Sequence, residues 1–194
     1  LTDSLTAATP VMRSAAARQL GAMGQWAVSA IPRLVALLAD TALSSEALPL
    51  EIDSASIQKL LAPGFEAGRS LARMGEKGVD ALKKNARSPD PVVREHAVFG
   101  LACVPGAASL GELRLALKDA EAGVRISALW GMRTPEAVTD LCGALNDRDG
   151  DVRTYAAASL YTLADPRSTS ALIDALKDLR PQTRVFAARS LGKI

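Results

Sequence analysis

The sequence predicts an all-α repeat fold made of antiparallel helix pairs, and three observations lead to this prediction. Hydrophobic residues make up 48% of the 194 residues but aromatic residues only 4%, so the core must consist of Ala, Leu and Val. Ala and Leu are strong helix formers. A short pattern recurs along the chain at intervals near 30 residues, and a second apolar stretch that ends in Leu-x-Asp recurs between its copies. Such a period is typical of stacked helical repeats.

The repeated pattern is an Arg at position zero, Ala at position three and Leu or Met at position seven. Position zero falls at residues 13, 64, 94, 125, 153 and 184, with spacings of 51, 30, 31, 28 and 31 residues. Positions three and seven are i and i+4 neighbours on one face of a helix. We therefore predict a helix at each copy, called a signature helix below. Thr9-Pro10 and Asp90-Pro91 have the composition of an N-cap followed by a first-turn proline.

A second set of helices, called partner helices below, is predicted between the signature helices. Short turns make each partner helix an antiparallel neighbour of a signature helix. The predicted ranges are 27–39, 77–86, 107–118, 135–145 and 167–177.

The second copy of the pattern departs from the others. Gly64 replaces the signature Arg, and the preceding interval is longer by about 20 residues, which we assign to an inserted segment at 41–63. The segment is either a tolerated surface insertion or a docking element. We expect one repeat domain over 1–194. The chain starts without Met and stops inside a repeat, so we expect a processed form or a fragment of a longer chain.

The stretches DPVVREHAVFGL (90–101) and GDVRTYAAASL (150–160) resemble HEAT-like repeats, in the short form found in phycobilisome lyase subunits. The resemblance extends over nearly the whole chain except 41–63. It implies a right-handed α-solenoid of about five to six antiparallel helix pairs, in which the signature helices line the concave side. It implies no particular function, because this architecture serves many unrelated roles.

The signature arginines allow two interpretations. A regular row of cations would suit phosphate binding. However, each Arg lies in the first turn of its helix, where the helix dipole disfavours a cation, so a nearby acceptor is needed. We expect carboxylates just upstream (Asp119, Asp147, Asp149 and Asp178) to bind these arginines and tie one repeat to the next. The predicted structural ladder consists of Arg13, Arg94, Arg125, Arg153 and Arg184.

A candidate binding surface lies at positions one, five and eight of the signature helices, away from the Ala/Leu face. Four of the seven aromatic residues of the chain fall there, beside several arginines, and this composition is typical of binding hot spots. The surface comprises Arg18, Phe65, Arg69, Phe99, Trp130, Arg133, Tyr161 and Arg189. The alternative is that neighbouring repeats cover these rings. A groove centred on Phe99 and Trp130 would hold a peptide or protein segment.

No residue pattern suggests catalysis, a metal site or a cofactor. His96 is the only histidine and has no second ligand at helical spacing. Cys103 and Cys142 are expected to be small core residues.

The leading hypothesis is therefore a non-enzymatic interaction module with a protein or peptide partner. The resemblance leaves two alternatives open, a bilin lyase-like or chaperone subunit and a DNA-binding HEAT-like domain. A formal net charge of +2 argues against nucleic acid as the partner. No signal peptide is visible, and no apolar run is long enough to span a bilayer.

Overall fold

A computed structural model of the chain describes residues 2–42, 62–105 and 109–194, and these residues contain helices and no strand. Most of the insertion expected at 41–63 thus lies outside the described residues. The α-helices are α1 (Pro10–Met23), α2 (Ile31–Leu37), α3 (Pro63–Ala72), α4 (Gly75–Asn85), α5 (Pro91–Ala102), α6 (Leu110–Ala116), α7 (Ala122–Gly131), α8 (Val138–Ala144), α9 (Gly150–Leu163), α10 (Thr169–Ala175) and α11 (Pro181–Leu191). None of them is both long and apolar enough to cross a bilayer.

The odd-numbered helices are the six signature helices, and the even-numbered ones are the partner helices. Two compact units divide the chain, Leu1–Val104 and Pro105–Ile194. In the first unit α3 packs between α1 and α5, and in the second α9 packs between α7 and α11, with partner helices beside these rows. This arrangement confirms the all-α class with solenoid-type helix pairs. The expectation of one domain over the whole chain stays a prediction.

The apolar positions of the pattern form the core, as predicted. Ala at position three is buried in every copy, and the residue at position seven is buried in all copies except the last, where Leu191 is half-buried. Small Ala side chains let neighbouring helices approach closely, and each buried Leu or Met contributes about 1.5–3 kcal/mol.

The helix ends follow the predicted capping chemistry. The Met12 N–H donates to the Thr9 hydroxyl at the start of α1, and the Val92 N–H donates to the Asp90 carboxylate at the start of α5. Four of the five partner helices are shorter than predicted, and α4 is the exception. Among the described residues, three of them begin only after a 3₁₀ segment, Gly24–Ala30 before α2, Pro135–Ala137 before α8 and Pro166–Ser168 before α10. In the last two, the first residue is a proline, which fixes the turn and has no N–H to donate.

The signature helices of the first unit touch backbone to backbone through two glycines. A Cβ atom at Gly68 of α3 would lie 2.4 Å from the His96 carbonyl oxygen, and one at Gly100 of α5 would lie 2.6 Å from the Gly68 carbonyl oxygen. No side chain fits at either position. This contact brings the side chains of α3 and α5 unusually close together.

The signature arginines of the second unit form a continuous Arg–Asp ladder. Arg125 donates two hydrogen bonds of 2.8 Å to the Asp147 carboxylate, and its Nη1 donates to the Asp119 carbonyl. One repeat later, Arg153 binds the Asp178 carboxylate at 2.5 and 3.2 Å, and its Nη1 donates to the Asp147 carbonyl. Asp147 therefore binds two successive arginines, one through its side chain and one through its backbone.

The other signature arginines keep part of this arrangement. Arg13 binds the Asp40 carboxylate at 2.6 Å in the first unit. The Nη1 atoms of Arg94 and Arg184 donate to backbone carbonyls five and six residues upstream, as in the other copies. The prediction is wrong about which Asp supplies the carboxylate to each arginine. The carboxylate comes from the following repeat, because the upstream Asp turns its backbone carbonyl toward the guanidinium.

The ladder depends on ionised carboxylates. The hydrogen bonds from Arg153 hold the pKa of Asp178 below its ordinary value, although burial opposes this shift. Burial likewise raises the pKa of Asp147, but its hydrogen bonds with Arg125 and the Asp149 N–H outweigh that effect and the net pKa is lowered. A carboxyl group whose pKa is lowered by folding stabilises the fold above its unfolded-state pKa and loses this contribution as the pH falls.

We therefore expect acid to weaken the second unit through Asp178. Its contribution should be complete above the ordinary pKa of 3.8 and should disappear as the pH falls through the lowered folded value. The test compares urea unfolding of the wild type and of Asp178→Asn between about pH 6 and pH 2. The stability difference between the two proteins should shrink toward low pH, and a constant difference would contradict the prediction.

Candidate functional site: a pocket between α7 and α9

Two aromatic residues of the predicted surface are core residues of the first unit. Phe65 and Phe99 are buried, with 2% and 8% of their surface exposed, and their rings meet edge to face with centroids 4.9 Å apart. The close approach of α3 and α5 covers both rings. The prediction that Phe65 and Phe99 line a binding surface, with Phe99 at its centre, is therefore wrong. The alternative, that a neighbouring repeat covers these rings, is correct for both.

His96 belongs to the same core. It is buried, its ring centroid lies 4.1 Å from that of Phe65, and its Nδ1 lies 2.6 Å from the Leu38 carbonyl oxygen. Because a carbonyl only accepts, Nδ1 carries the proton. Within the described part of the chain no group of His, Cys, Asp and Glu residues is placed to hold a metal ion. The ring has a packing role.

The two arginines of the predicted surface in the first unit lie beside one buried acid. Glu66 is 4% exposed, and its Oε2 lies 3.7 Å from Arg18 Nε and 3.8 Å from Arg69 Nη1. Both guanidinium groups remain about half exposed. The cluster therefore presents two cations to solvent, of which Glu66 compensates one.

The second unit has a pocket of about 370 Å³ between two signature helices. Trp130 of α7 and Tyr155 of α9 both line it, and their rings contact each other, with centroids 6.2 Å apart and an angle of 44° between the planes. Ala158, at position five of α9, lines the pocket with a small side chain. The lining residues are Trp130, Arg133, Tyr155, Ala158, Ser159, Thr162 and Leu163.

Only one side chain that lines this pocket is charged. The Arg133 guanidinium lies 5.6 Å from the Trp130 ring centroid, and its Nε donates to the Trp130 carbonyl at 2.9 Å. A guanidinium at this distance from an indole ring makes a cation–π contact. Trp130 and Tyr155 are half-buried, so each presents part of its ring to the pocket.

The other two predicted surface residues of this unit are exposed. Tyr161 lies near the end of α9, and Lys193 covers its ring, with Nζ 4.6 Å from the centroid and 3.1 Å from the Tyr161 carbonyl oxygen. Arg189 is exposed on α11. The structure thus places Trp130, Arg133, Tyr161 and Arg189 on the surface of the second unit.

Sequence reasoning missed two residues of the pocket and one residue near it. Tyr155 lies at position two and Ala158 at position five of its copy, and neither belongs to the candidate surface predicted from the sequence. Lys193 follows the last helix and was not considered. The signal that would have found the pocket is the pair of a Trp at position five in one repeat and an Ala at the same position in the next, which leaves a space on the helix face.

The cysteines lie nearer the surface than expected. Cys103 is exposed at the end of α5, and Cys142 on α8 is half-buried. Burial raises the pKa of the Cys142 thiol, which lowers its reactivity near neutral pH. The expectation that both are core residues is wrong for Cys103, because the residue lies just beyond the packed face of its helix.

Comparison with known proteins agrees with the repeat geometry. A family model for HEAT repeats matches residues 79–161, and a model for the PBS lyase HEAT-like repeat matches residues 12–40 and 152–178. This chain is a HEAT-like repeat protein. The predicted resemblance is thereby confirmed. Among curated proteins, none matches the sequence significantly.

Solved structures share the fold of this HEAT-like repeat protein at low sequence identity. A designed armadillo repeat protein in complex with the peptide (KR)4 is 17% identical, with a TM-score of 0.57, covering 99% of this chain and 97% of that one. Computationally designed armadillo repeat proteins for modular peptide recognition give 17% identity, a TM-score of 0.55 and coverage of 100% and 98%. The complex of CpcE and CpcF of phycocyanin lyase from Nostoc sp. PCC7120 is 21% identical, with a TM-score of 0.49, and the match covers 98% of this chain and 74% of that one.

Proposed function

We propose that this HEAT-like repeat protein is an interaction module that binds a peptide or protein segment through the pocket between α7 and α9. The observation that carries the proposal is the contacting pair of half-buried rings, Trp130 and Tyr155, which line a pocket of about 370 Å³. A space of this size accepts one large side chain, and aromatic rings in a pocket are typical binding hot spots.

The chemistry of the pocket supports binding rather than catalysis. Its lining offers the phenol of Tyr155 and two aliphatic hydroxyl groups, of Ser159 and Thr162. The two aliphatic hydroxyl groups already donate to backbone carbonyls, of Leu129 and Ser159 respectively. A nucleophile needs an adjacent base, and no imidazole or carboxylate lines the pocket. The surface offers apolar contact and one guanidinium.

The test of this proposal is a substitution that fills the pocket with a larger side chain. Ala158→Trp should occupy the pocket beside Trp130 and Tyr155 and weaken the binding of pocket-dependent peptides at least about tenfold. The control is Thr139→Trp, the same bulky residue at an exposed position of α8. The probes are displayed random peptides of about 12 residues, which span roughly 40 Å when extended, selected on the whole chain.

Urea unfolding of both variants shows whether the fold is kept. Peptides that bind the wild type and Thr139→Trp equally, and Ala158→Trp more weakly, support the proposal. It fails if selection yields no peptide, or only peptides that bind Ala158→Trp as tightly as the wild type. Duplex DNA and a bilin serve as parallel probes for the two alternatives that the sequence left open.

A further inference from the structure

The charges around the pocket point to the chemistry of its partner. Of the three signature helices of the second unit, α7 and α11 carry no acidic residue, and α9 carries only Asp151. Asp151 lies in the first turn of α9 and binds Arg180. Arg133, Arg189 and Lys193, in contrast, are exposed at or beyond the far ends of these helices. The surface that contains the pocket is therefore cationic.

Carboxylates that follow these helices do not cancel this charge. Arg167 binds Asp165, at 2.6 Å between Nη2 and Oδ2. Glu136, the other acidic residue at this end, is one carboxylate against the three cations Arg133, Arg189 and Lys193. The helix C-termini carry partial negative charge equivalent to about half an electron. Arg133 and Lys193 each donate to a terminal carbonyl and carry a full positive charge, so the outermost groups are cations.

The cations also occupy one face of two aromatic rings at this surface. Arg133 covers the Trp130 ring, and Lys193 covers the Tyr161 ring. A lysine, a methylated ammonium group or an arginine of a partner would have to displace these side chains and remain beside them with no carboxylate in the pocket lining. The site therefore rejects cationic ligands, whereas a carboxylate finds exposed guanidinium and ammonium groups.

We propose that the partner segment is acidic, with one apolar or aromatic side chain in the pocket and flanking Asp or Glu residues that pair with Arg133 and with Arg189 or Lys193. This inference rests on the proposed function. Among the described residues of the first unit, the charge has the same sign, since Arg18 and Arg69 are exposed beside the single acid Glu66. The partner differs in charge from the peptide (KR)4 bound by the designed armadillo protein.

The test measures the amino-acid composition of the selected peptides. In the random-peptide selection, pocket-dependent binders of the wild type should be enriched in Asp and Glu. Each flanking acid should strengthen binding about two- to fivefold over Ser at low salt, the range for exposed ion pairs. This gain should decline as salt rises from about 0.05 M to about 0.5 M, because the screening length shortens.

Charge reversal supplies the control. Arg133→Glu should abolish the enrichment in acidic residues or favour Lys and Arg. Lys177→Glu makes the same reversal of charge at an exposed site beyond α10 and should leave the enrichment unchanged. The inference is overturned if pocket-dependent peptides lack an acidic excess, or if both variants select the same peptides. These outcomes leave the proposed function standing, whereas the absence of any pocket-dependent peptide removes both proposals.

Discussion

Replacing Arg125 by alanine should lower the free energy of unfolding of the second unit by about 3–5 kcal/mol, the usual loss when one partner of a buried ion pair is removed. The Arg125 side chain is 4% exposed and the Asp147 side chain 15% exposed. Without the guanidinium, the Asp147 carboxylate loses two hydrogen bonds, and the Asp119 carbonyl loses its donor. Urea unfolding followed by circular dichroism measures the loss.

The matched control is Arg184→Ala, at the same position of α11. Arg184 is exposed and, among the described residues, its partners are two backbone carbonyls and no carboxylate. Its loss should cost no more than about 1 kcal/mol. Arg153→Ala should lie between the two and should lower stability more than peptide binding. Equal losses for Arg125 and Arg184 would contradict the structural role of the carboxylate contact.

Restoring the missing signature arginine by Gly64→Arg should destabilise the first unit by about 3 kcal/mol, although it brings the second copy closer to the repeat pattern. A Cβ atom at Gly64 would lie 2.1 Å from His96 Nδ1 and 2.8 Å from the Asp40 carbonyl oxygen. The His96 ring is held by Leu38 and cannot move without losing that hydrogen bond. Overpacking of this kind costs about 1–3 kcal/mol, and an unpaired guanidinium adds to it.

Gly143→Arg is the control for this substitution. Gly143 is exposed on α8, and a Cβ atom there would have no neighbour within 4 Å. Because glycine is a poor helix former, the change should raise stability by up to about 1 kcal/mol. Urea unfolding of both variants gives the comparison. A stability gain in Gly64→Arg would show that the repeat pattern matters more than the contact with His96.

The repeat pattern was enough to predict the helix order and much of the core. The Ala and Leu positions have one helical period and one chemical character, so their burial follows from spacing alone. The caps at Thr9 and Asp90 were predicted for the same reason, since their effect is local. The partner of each ladder arginine was harder to predict, because the distance from Arg125 to Asp147 depends on how two repeats stack.

The binding surface was only partly accessible to sequence reasoning. Phe99 and Trp130 occupy the same position of the pattern, yet one is core and the other borders a pocket. The difference comes from their neighbours, since Gly68 and Gly100 let α3 and α5 close over Phe99. Beside Trp130, in contrast, Tyr155 and the small Ala158 keep the pocket open. Such pairings depend on residues that are distant in sequence.

The Arg–Asp ladder also determines where this chain tolerates extra residues. In the second unit, each signature Arg lies six positions after the Asp whose carbonyl it binds. The Asp whose carboxylate binds a signature Arg lies 22 to 27 positions after that Arg. The insertion at 41–63 falls in the first kind of interval, after Asp40. In this copy the Gly64 N–H donates to the Asp40 carbonyl oxygen at 3.0 Å. In the second unit, the corresponding Asp carbonyl accepts from the signature arginine instead. In the second copy, the longer interval thus goes together with the replacement of the arginine contact by a backbone contact. New insertions should be accepted between Arg and Asp and should cost stability between Asp and Arg.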